Sequence, residues 1–465
     1  MNKTLPTSEK KLSRVLSLSD LVIYGIILIQ PVAALPLFGH ADNISKGHAV
    51  TTIVISMVAM IFTAISYGRM ANRYPSAGSA YTYVGKGIHP YFGFIAGWSM
   101  FMDYMFVPIL CIIYTSITAN HMLPIIPIHF WIFFFAAGFT MLNLTGIRMA
   151  SKANWVMMIV MSAVVFYFMI AAIRFITNKY GFGGLFSFRP FYNPKSFSWK
   201  AIGPATALVA LTYIGFDGIT TLSEEVKNPR RNVMIGAVLT CLITGIWSGV
   251  QIYLAQVSWP DWESFTLGMA DAAARNNALD TAILSVANRV GGPLLDGSLS
   301  LILLIGSIGS GAAGQLGASR LLYGMGRDGV IPKNIFGHLD KKHSSPNYNI
   351  LIIGSLALPG ALLLNYEEAA RLVNFGAFFA FIGVNVASLR EYFFKVKGKT
   401  FKGFLLDFLP AGIGFLFCLI IWLNLPMKTF LIGGGWMMAG IIYLAFHTNG
   451  FRKNTELIDF SKKGI

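Results

Sequence analysis

The chain has 465 residues, 55% of them hydrophobic and only 12% charged, with 36 Lys and Arg against 20 Asp and Glu for a formal net charge of +16. An average soluble domain is about 25% charged, so this composition excludes a string of soluble domains, a disordered scaffold and a disulfide-built secreted module. The cations lie between apolar segments and form no single basic face, which excludes a nucleic-acid binder. What remains is a polytopic, all-α integral membrane protein.

A bilayer span takes about 20 largely apolar residues, and twelve segments meet that requirement. After a polar tail, 1–17, without a cleavable-signal pattern, the first span runs over 18–39. Within it Pro31 and Pro36 each remove a backbone donor and Gly25 lowers helix propensity. That pattern predicts unwinding near Ile27–Ala34. The second span, 49–71, leads into Tyr74-Pro75-Ser76-Ala77-Gly78-Ser79-Ala80-Tyr81-Thr82-Tyr83, a small-residue loop suited to packing or gating. No Gly-Lys-Ser/Thr follows it, so it is no phosphate cradle. The third span, 91–120, carries Asp103 beside Tyr104, and spans at 127–145 and 153–176 close a first group of five.

The sixth span, 201–222, contains Thr212-Tyr213-Ile214-Gly215-Phe216-Asp217-Gly218, in which two glycines flank an acid at membrane depth. Unwinding is predicted over Tyr213–Asp217. Spans at 232–256, 296–323, 348–365 and 369–390 follow, then two more at 405–425 and 430–447 and a tail, 448–465. The interval Ser258–Asp296 is the longest polar stretch, with Asp261, Glu263, Asp271, Asp280 and Asp296. Ser319 to Pro332, with Arg320, Arg327 and Asp328, reads as a helix-capping end to span eight. Phe375, Phe378, Phe379 and Phe381 read as packing residues. Cys111, Cys241 and Cys418 all lie in apolar stretches and build no disulfide framework.

With the N-terminus inside, 26 of the 36 Lys and Arg fall in inside segments and 10 in outside ones, which the positive-inside rule favours. Both termini are therefore expected in the cytoplasm, on a multi-pass protein of the cell membrane. The exception is the loop at 174–200, with Arg174, Lys179, Arg189, Lys195 and Lys200 placed outside.

Interrupted spans at corresponding positions of two halves are the best pointer in a sequence to a transporter site. Spans one and six stand five apart. Freed amides there can take a carboxylate, and freed carbonyls an ammonium or a cation. Apart from Asp20, Asp296 and Asp407 at span ends, Asp103 and Asp217 are the only acids inside the spans, and each costs at least about 3 kcal/mol unless it has a partner or a task. The candidate substrate residues are Gly25, Ile29, Gln30, Val32 and Ala33 of span one, Tyr104 of span three, and Thr212, Tyr213, Gly215, Phe216 and Asp217 of span six. No catalytic constellation, metal-ligand spacing or cofactor motif is present in the sequence, so an intramembrane enzyme or a channel is the disfavoured rival.

The strings Tyr74–Tyr83, Gly97-Trp98 with Asp103-Tyr104, Tyr213–Asp217 followed by Ser223-Glu224-Glu225-Val226-Lys227-Asn228-Pro229, and Ala318–Asp328 occur in the order and spacing of one family. Over its whole length the chain resembles the amino acid–polyamine–organocation superfamily, and most of all bacterial permeases of the putrescine-importer and amino-acid-permease branch. The resemblance implies a LeuT-like fold of two inverted five-helix repeats, about 18–176 and 201–390, plus two extra helices over 405–447. It also implies secondary active transport by alternating access. The family's glycine-rich stretch of span one is here Gly25 to Ala34, which weakens transfer of its carboxylate site. Pro36 stands where putrescine importers of this type carry an acid, and Met161 where some proton-coupled relatives carry a lysine. The expected substrate is an amino acid or related amine, with the missing span-one acid leaning toward amino acids and a polyamine such as putrescine as the alternative. A proton or sodium ion is the coupling candidate, at Asp103, Asp217 or the span-eight hydroxyls Ser307 and Ser310, expected to face span-one carbonyls.

Overall fold

The computed structural model describes residues 16–75, 79–145, 151–223, 226–327, 331–340, 345–396, 398 and 400–452. Helix α1, Leu18–Ile29, opens on a capping box between Ser17 and Asp20, which satisfies end amides and sets an acid at the positive end of the helix dipole. It stops at Gln30, at φ 70° and ψ 140°, where the following proline drives ψ out of the helical region. A 3-10 turn, Leu35–Leu37, carries Pro36, and α2, Phe38–Ser45, continues the path. The predicted start of unwinding at Ile27 is thus too early by three residues, since apolar packing keeps the helix regular through Ile29.

Next come α3 (Ala49–Arg73), α4 (Ser79–Gly87), α5 (Pro90–Met122), α6 (Ile128–Leu144) and α7 (Ser151–Tyr180). The predicted loop at 74–83 is helical from Ser79, and Ser76–Gly78 lie outside the described residues. Helix α8, Trp199–Val209, gives way to two 3-10 segments, Ala210–Tyr213 and Phe216–Leu222. Between them Gly215 takes φ 116°, a conformation that favours glycine because it carries no Cβ. Glu224 and Glu225 lie outside the described residues.

The second half contains α9 (Pro229–Ser258), α10 (Ala272–Asp280), α11 (Ala282–Arg327), α12 (Lys333–Phe336), α13 (Asn347–Leu363) and α14 (Tyr366–Leu389). The end of the chain adds α15 (Phe401–Gly403), α16 (Leu409–Leu423) and α17 (Met427–His447). The polar interval Ser258–Asp296 is therefore largely helical. Helix α11 begins inside it and kinks at Gly292 (φ 70°, ψ −170°) before Pro293, where the missing proline donor breaks the ladder. Asp328, expected to cap this helix, lies outside the described residues.

Nine helical segments among the described residues are long and apolar enough to cross a membrane, and three more apolar helices, α1, α6 and α13, have 10–17 residues. Helix α5 is the most enclosed of them, with 89% of its apolar window buried, against 28% for α7 and α17. It packs against α11 and α14. Phe375, Phe378 and Phe381 of α14 are core residues, and Phe379 packs against that core half-buried. The described residues contain an isolated parallel bridge between Leu16 and Val226, which ties the start of the chain to the connection after the sixth apolar segment.

Candidate functional site

The end of α1 and the Gly215 turn meet. A Cβ at Gly215 would lie 3.5 Å from Ile29 Cγ1 and 3.7 Å from the backbone carbon of Leu28. From this junction Gln30 reaches α11, donating from Nε2 to the carbonyl of Gly306 (3.0 Å) and to Ser310 Oγ (2.7 Å). The carbonyl of Pro31, which no helix uses, accepts from Trp247 Nε1 (2.9 Å) and Gln251 Nε2 (3.1 Å) of α9. Backbone groups freed in an apolar interior need such partners, and here α9 supplies them.

Two carboxylates stand nearby in a low-dielectric interior. Asp103 is 7% exposed and Asp217 8%. Asp217 sits among the backbone amides of Gly215, Asp217 and Gly218, within electrostatic reach of Asp103, Tyr67, Tyr83 and Tyr104. Asp103 Oδ1 has no hydrogen-bond partner among the described residues. A Cβ at Gly376 would fall 2.6 Å from the Ser99 carbonyl and 3.0 Å from the Asp103 amide nitrogen, so glycine is what lets α14 close on the acid-bearing turn of α5. Among the described residues no Lys, Arg or His lies within salt-bridge distance of either acid. The arrangement can hold a cation or a proton, and it offers no fixed positive charge to an anion.

The remaining candidates divide. Tyr104 is half-buried and packs where a Cβ at Gly317 would lie 3.1 Å from its ring. Ile29 and Val32 are buried and Ala33 half-buried along the break. Thr212 is buried with no partner for Oγ1 among the described residues. Tyr213 turns away, donating its hydroxyl to the carbonyl of Ile53 on α3 at 2.9 Å. Phe216 joins an aromatic group with Tyr67 and Phe381, at ring separations of 5.4 and 5.3 Å. Gly25 is not at the break: a Cβ there would stand 2.6 Å from Thr240 Oγ1 on α9, a close helix approach.

Ser310 meets the Gln30 side chain and not a span-one carbonyl, and Ser307 lies half-buried one residue past Gly306. The Pro31 carbonyl faces Trp247 and Gln251 of α9 instead. A cavity of about 340 Å³ beside the break is lined by Gln30, Asn143, Met161, Ser310 and Arg320 among others, and neither acid lines it.

Trp247 and Gln251 escaped notice in the sequence, although a buried amide in an apolar helix was a usable signal. Equally unforeseen is a buried cluster around His40. Its Nε2 lies 2.8 Å from Asp280 Oδ1 and its Nδ1 3.2 Å from Glu367 Oε2, with Arg371 paired to Glu367.

Long apolar helices, nine of them of membrane-crossing length among the described residues, define a polytopic membrane protein. The chain belongs to the amino acid permease family, whose model matches residues 15–446. It is 34% identical over 455 residues to the low-affinity putrescine importer PlaP of Escherichia coli (strain K12), with 97% of each chain covered. It is also 25% identical over 481 residues to the branched-chain amino acid permease BcaP of Bacillus subtilis (strain 168), covering 97% of this chain and 96% of that one. Among solved structures, a manganese transporter of Eremococcus coleocola aligns with a TM-score of 0.51 at 14% identity, covering 97% of this chain and 100% of that chain. That likeness is one of fold. Family and relatives alike are permeases and importers, so this chain is a transporter and not an enzyme.

Proposed function

We propose that the chain is a secondary active transporter of amino acids or related amines that works by alternating access, with its substrate at the breaks near Gln30–Ala34 and Tyr213–Asp217. In this reading the nine long apolar segments and the three shorter apolar helices make twelve spans. They form two inverted five-span repeats, about 18–176 and 201–390, followed by two extra spans over 405–447, in the cell membrane. Both tails, 1–17 and 448–465, are cytoplasmic, and spans one and six are unwound at their centres.

The observation that carries the reading is the pair of buried carboxylates, Asp103 and Asp217, beside Tyr104 and the junction of the two breaks. The same pair bears on substrate class. An amino acid brings a carboxylate that needs amides or a cation, and among the described residues no Lys, Arg or His stands within salt-bridge distance of this pair. A substrate carrying only ammonium groups needs nothing but acids and aromatic faces. This moves the choice toward amines, including diamines, and the relative named a putrescine importer supports the same direction. A proton on Asp103 or Asp217 is the coupling candidate. Ser307 and Ser310 remain cation candidates if Gln30 releases Ser310 during the cycle.

Uptake into proteoliposomes of labelled putrescine, longer polyamines and a panel of amino acids tests the proposal. Accumulation of a diamine is the expected result. Accumulation of neutral amino acids alone would return the choice to that class, and no uptake of either class under any imposed ion gradient would refute the transport reading.

A further inference from the structure

Helix α7 carries one face that fits neither the bundle core nor plain lipid. Only 28% of its apolar window is buried, and Tyr167, Ile170, Arg174 and Asn178 follow one another at helical spacing along a single exposed stripe. The lower part of the stripe is apolar, with Ile170 63% exposed and Tyr167 40%. Its upper end is basic.

Opposite this stripe, Val290 and Gly291 of α11 form the other wall of a cleft of about 640 Å³. The wall ends at the Gly292–Pro293 kink, where a Cβ added at Gly292 would meet nothing within 4 Å. Lys179 Nζ and Arg289 Cζ each lie 5.6 Å from the ring centre of Phe175. The two cations are therefore no more than twice that distance apart, with Arg174 one residue from the ring between them. Among the described residues none of the three has a carboxylate within salt-bridge distance. Asp296, beyond the kink, is already taken by His121 (3.1 Å) and Asn288 (3.2 Å).

Three unpaired cations at the rim of an apolar, lipid-facing groove complement an amphiphile with an anionic head. We propose that this cleft binds an anionic phospholipid, its phosphodiester held by Arg174, Lys179 and Arg289 and an acyl chain laid along Ile170 and Tyr167. Basic side chains between spans attract anionic headgroups by charge, and long basic side chains reach the headgroup level from within a span. The site also gives a physical reason for two of the five cations that break the positive-inside pattern at 174–200, Arg174 and Lys179. It is independent of the substrate reading.

The test uses the full-length protein in detergent, titrated with phosphatidylglycerol, phosphatidylcholine or inorganic phosphate. Bound lipid is counted by native mass spectrometry and the melting midpoint is recorded. Phosphatidylglycerol should be retained over phosphatidylcholine by at least about fivefold, the effect of a single basic side chain at an anionic surface. The combined variant Arg174→Gln, Lys179→Gln, Arg289→Gln should lose that preference, whereas Arg174→Lys should keep it. Ala171→Trp, which obstructs the groove with every cation in place, should also lower retention and covers the case in which the combined variant misfolds. Equal retention of the two lipids, a preference that survives both the combined variant and Ala171→Trp, or a midpoint rise with inorganic phosphate alone would overturn the proposal.

Discussion

Gln30 holds Ser310 at 2.7 Å and the carbonyl of Gly306 at 3.0 Å, so the residue that ends α1 is fastened to α11 across the cavity beside the break. Gln30 stands at φ 70° where the helix ends, and the Pro31 carbonyl that follows is left to Trp247 and Gln251 of α9. A sliding or tilting of α1 against α11 must break this link first.

Gln30→Ala and Ser310→Ala should therefore be non-additive in melting midpoint. A coupling of about 1 kcal/mol is expected, the usual net value of one hydrogen bond. Ser310→Ala alone should be the milder change, because Gly306 still accepts from Gln30. Purely additive losses in a double-mutant cycle would show that the contact carries no energy.

Asp217→Asn should leave the protein folded, the two side chains being nearly isosteric, while initial uptake falls at least about tenfold, roughly 1.4 kcal/mol of lost interaction. A merely structural Asp217 would instead lower the midpoint and leave uptake per folded molecule near normal. Recording both quantities on one preparation separates the two roles.

Gly215→Ala should destabilise by about 1–3 kcal/mol, because a residue with Cβ is strained at φ 116°. Space is not the cause, since the nearest atom to that Cβ would be Ile29 Cγ1 at an ordinary 3.5 Å. Trimming Ile29 to Val in the same chain should accordingly fail to rescue the midpoint.

His40→Ala should be the most damaging change outside the breaks. It leaves the buried Asp280 without its 2.8 Å partner, and breaking a buried pair costs about 3–5 kcal/mol. Glu367 keeps Arg371, so Glu367→Gln should be milder. The double change His40→Leu with Asp280→Leu should recover part of the lost midpoint, since no unpaired charge then remains.

Labelling tests the orientation. Cys111, Cys241 and Cys418 are free and buried, so an added Ala273→Cys on the exposed side of α10 becomes the reactive thiol. An impermeant maleimide should modify it from outside intact cells. Modification only after the membrane is opened would invert the proposed topology.

Membrane identity, the apolar segments, the proline and glycine interruptions and the two lone acids were all legible in the residues themselves. The bilayer imposes length and hydropathy locally, on each stretch of about 20 residues. Pro31 cannot donate in a helix wherever it stands, and glycine permits the positive φ found at Gly215 without a Cβ clash. The partners of those local features are another matter. Gln30 and Ser310 are 280 residues apart, Pro31 and Gln251 220, and His40 and Asp280 240. Nothing in the spacing of such residues states which faces will meet, because helix rotation and tilt are set by side-chain packing between spans. By itself the sequence determined that the chain is built of long apolar segments and that proline and glycine interrupt the first and the sixth. Only the tertiary structure decided that α9 and α11 satisfy the broken end of span one, that Asp103 and Asp217 are both buried, and that Arg174 and Lys179 share a cleft with Val290 and Gly291.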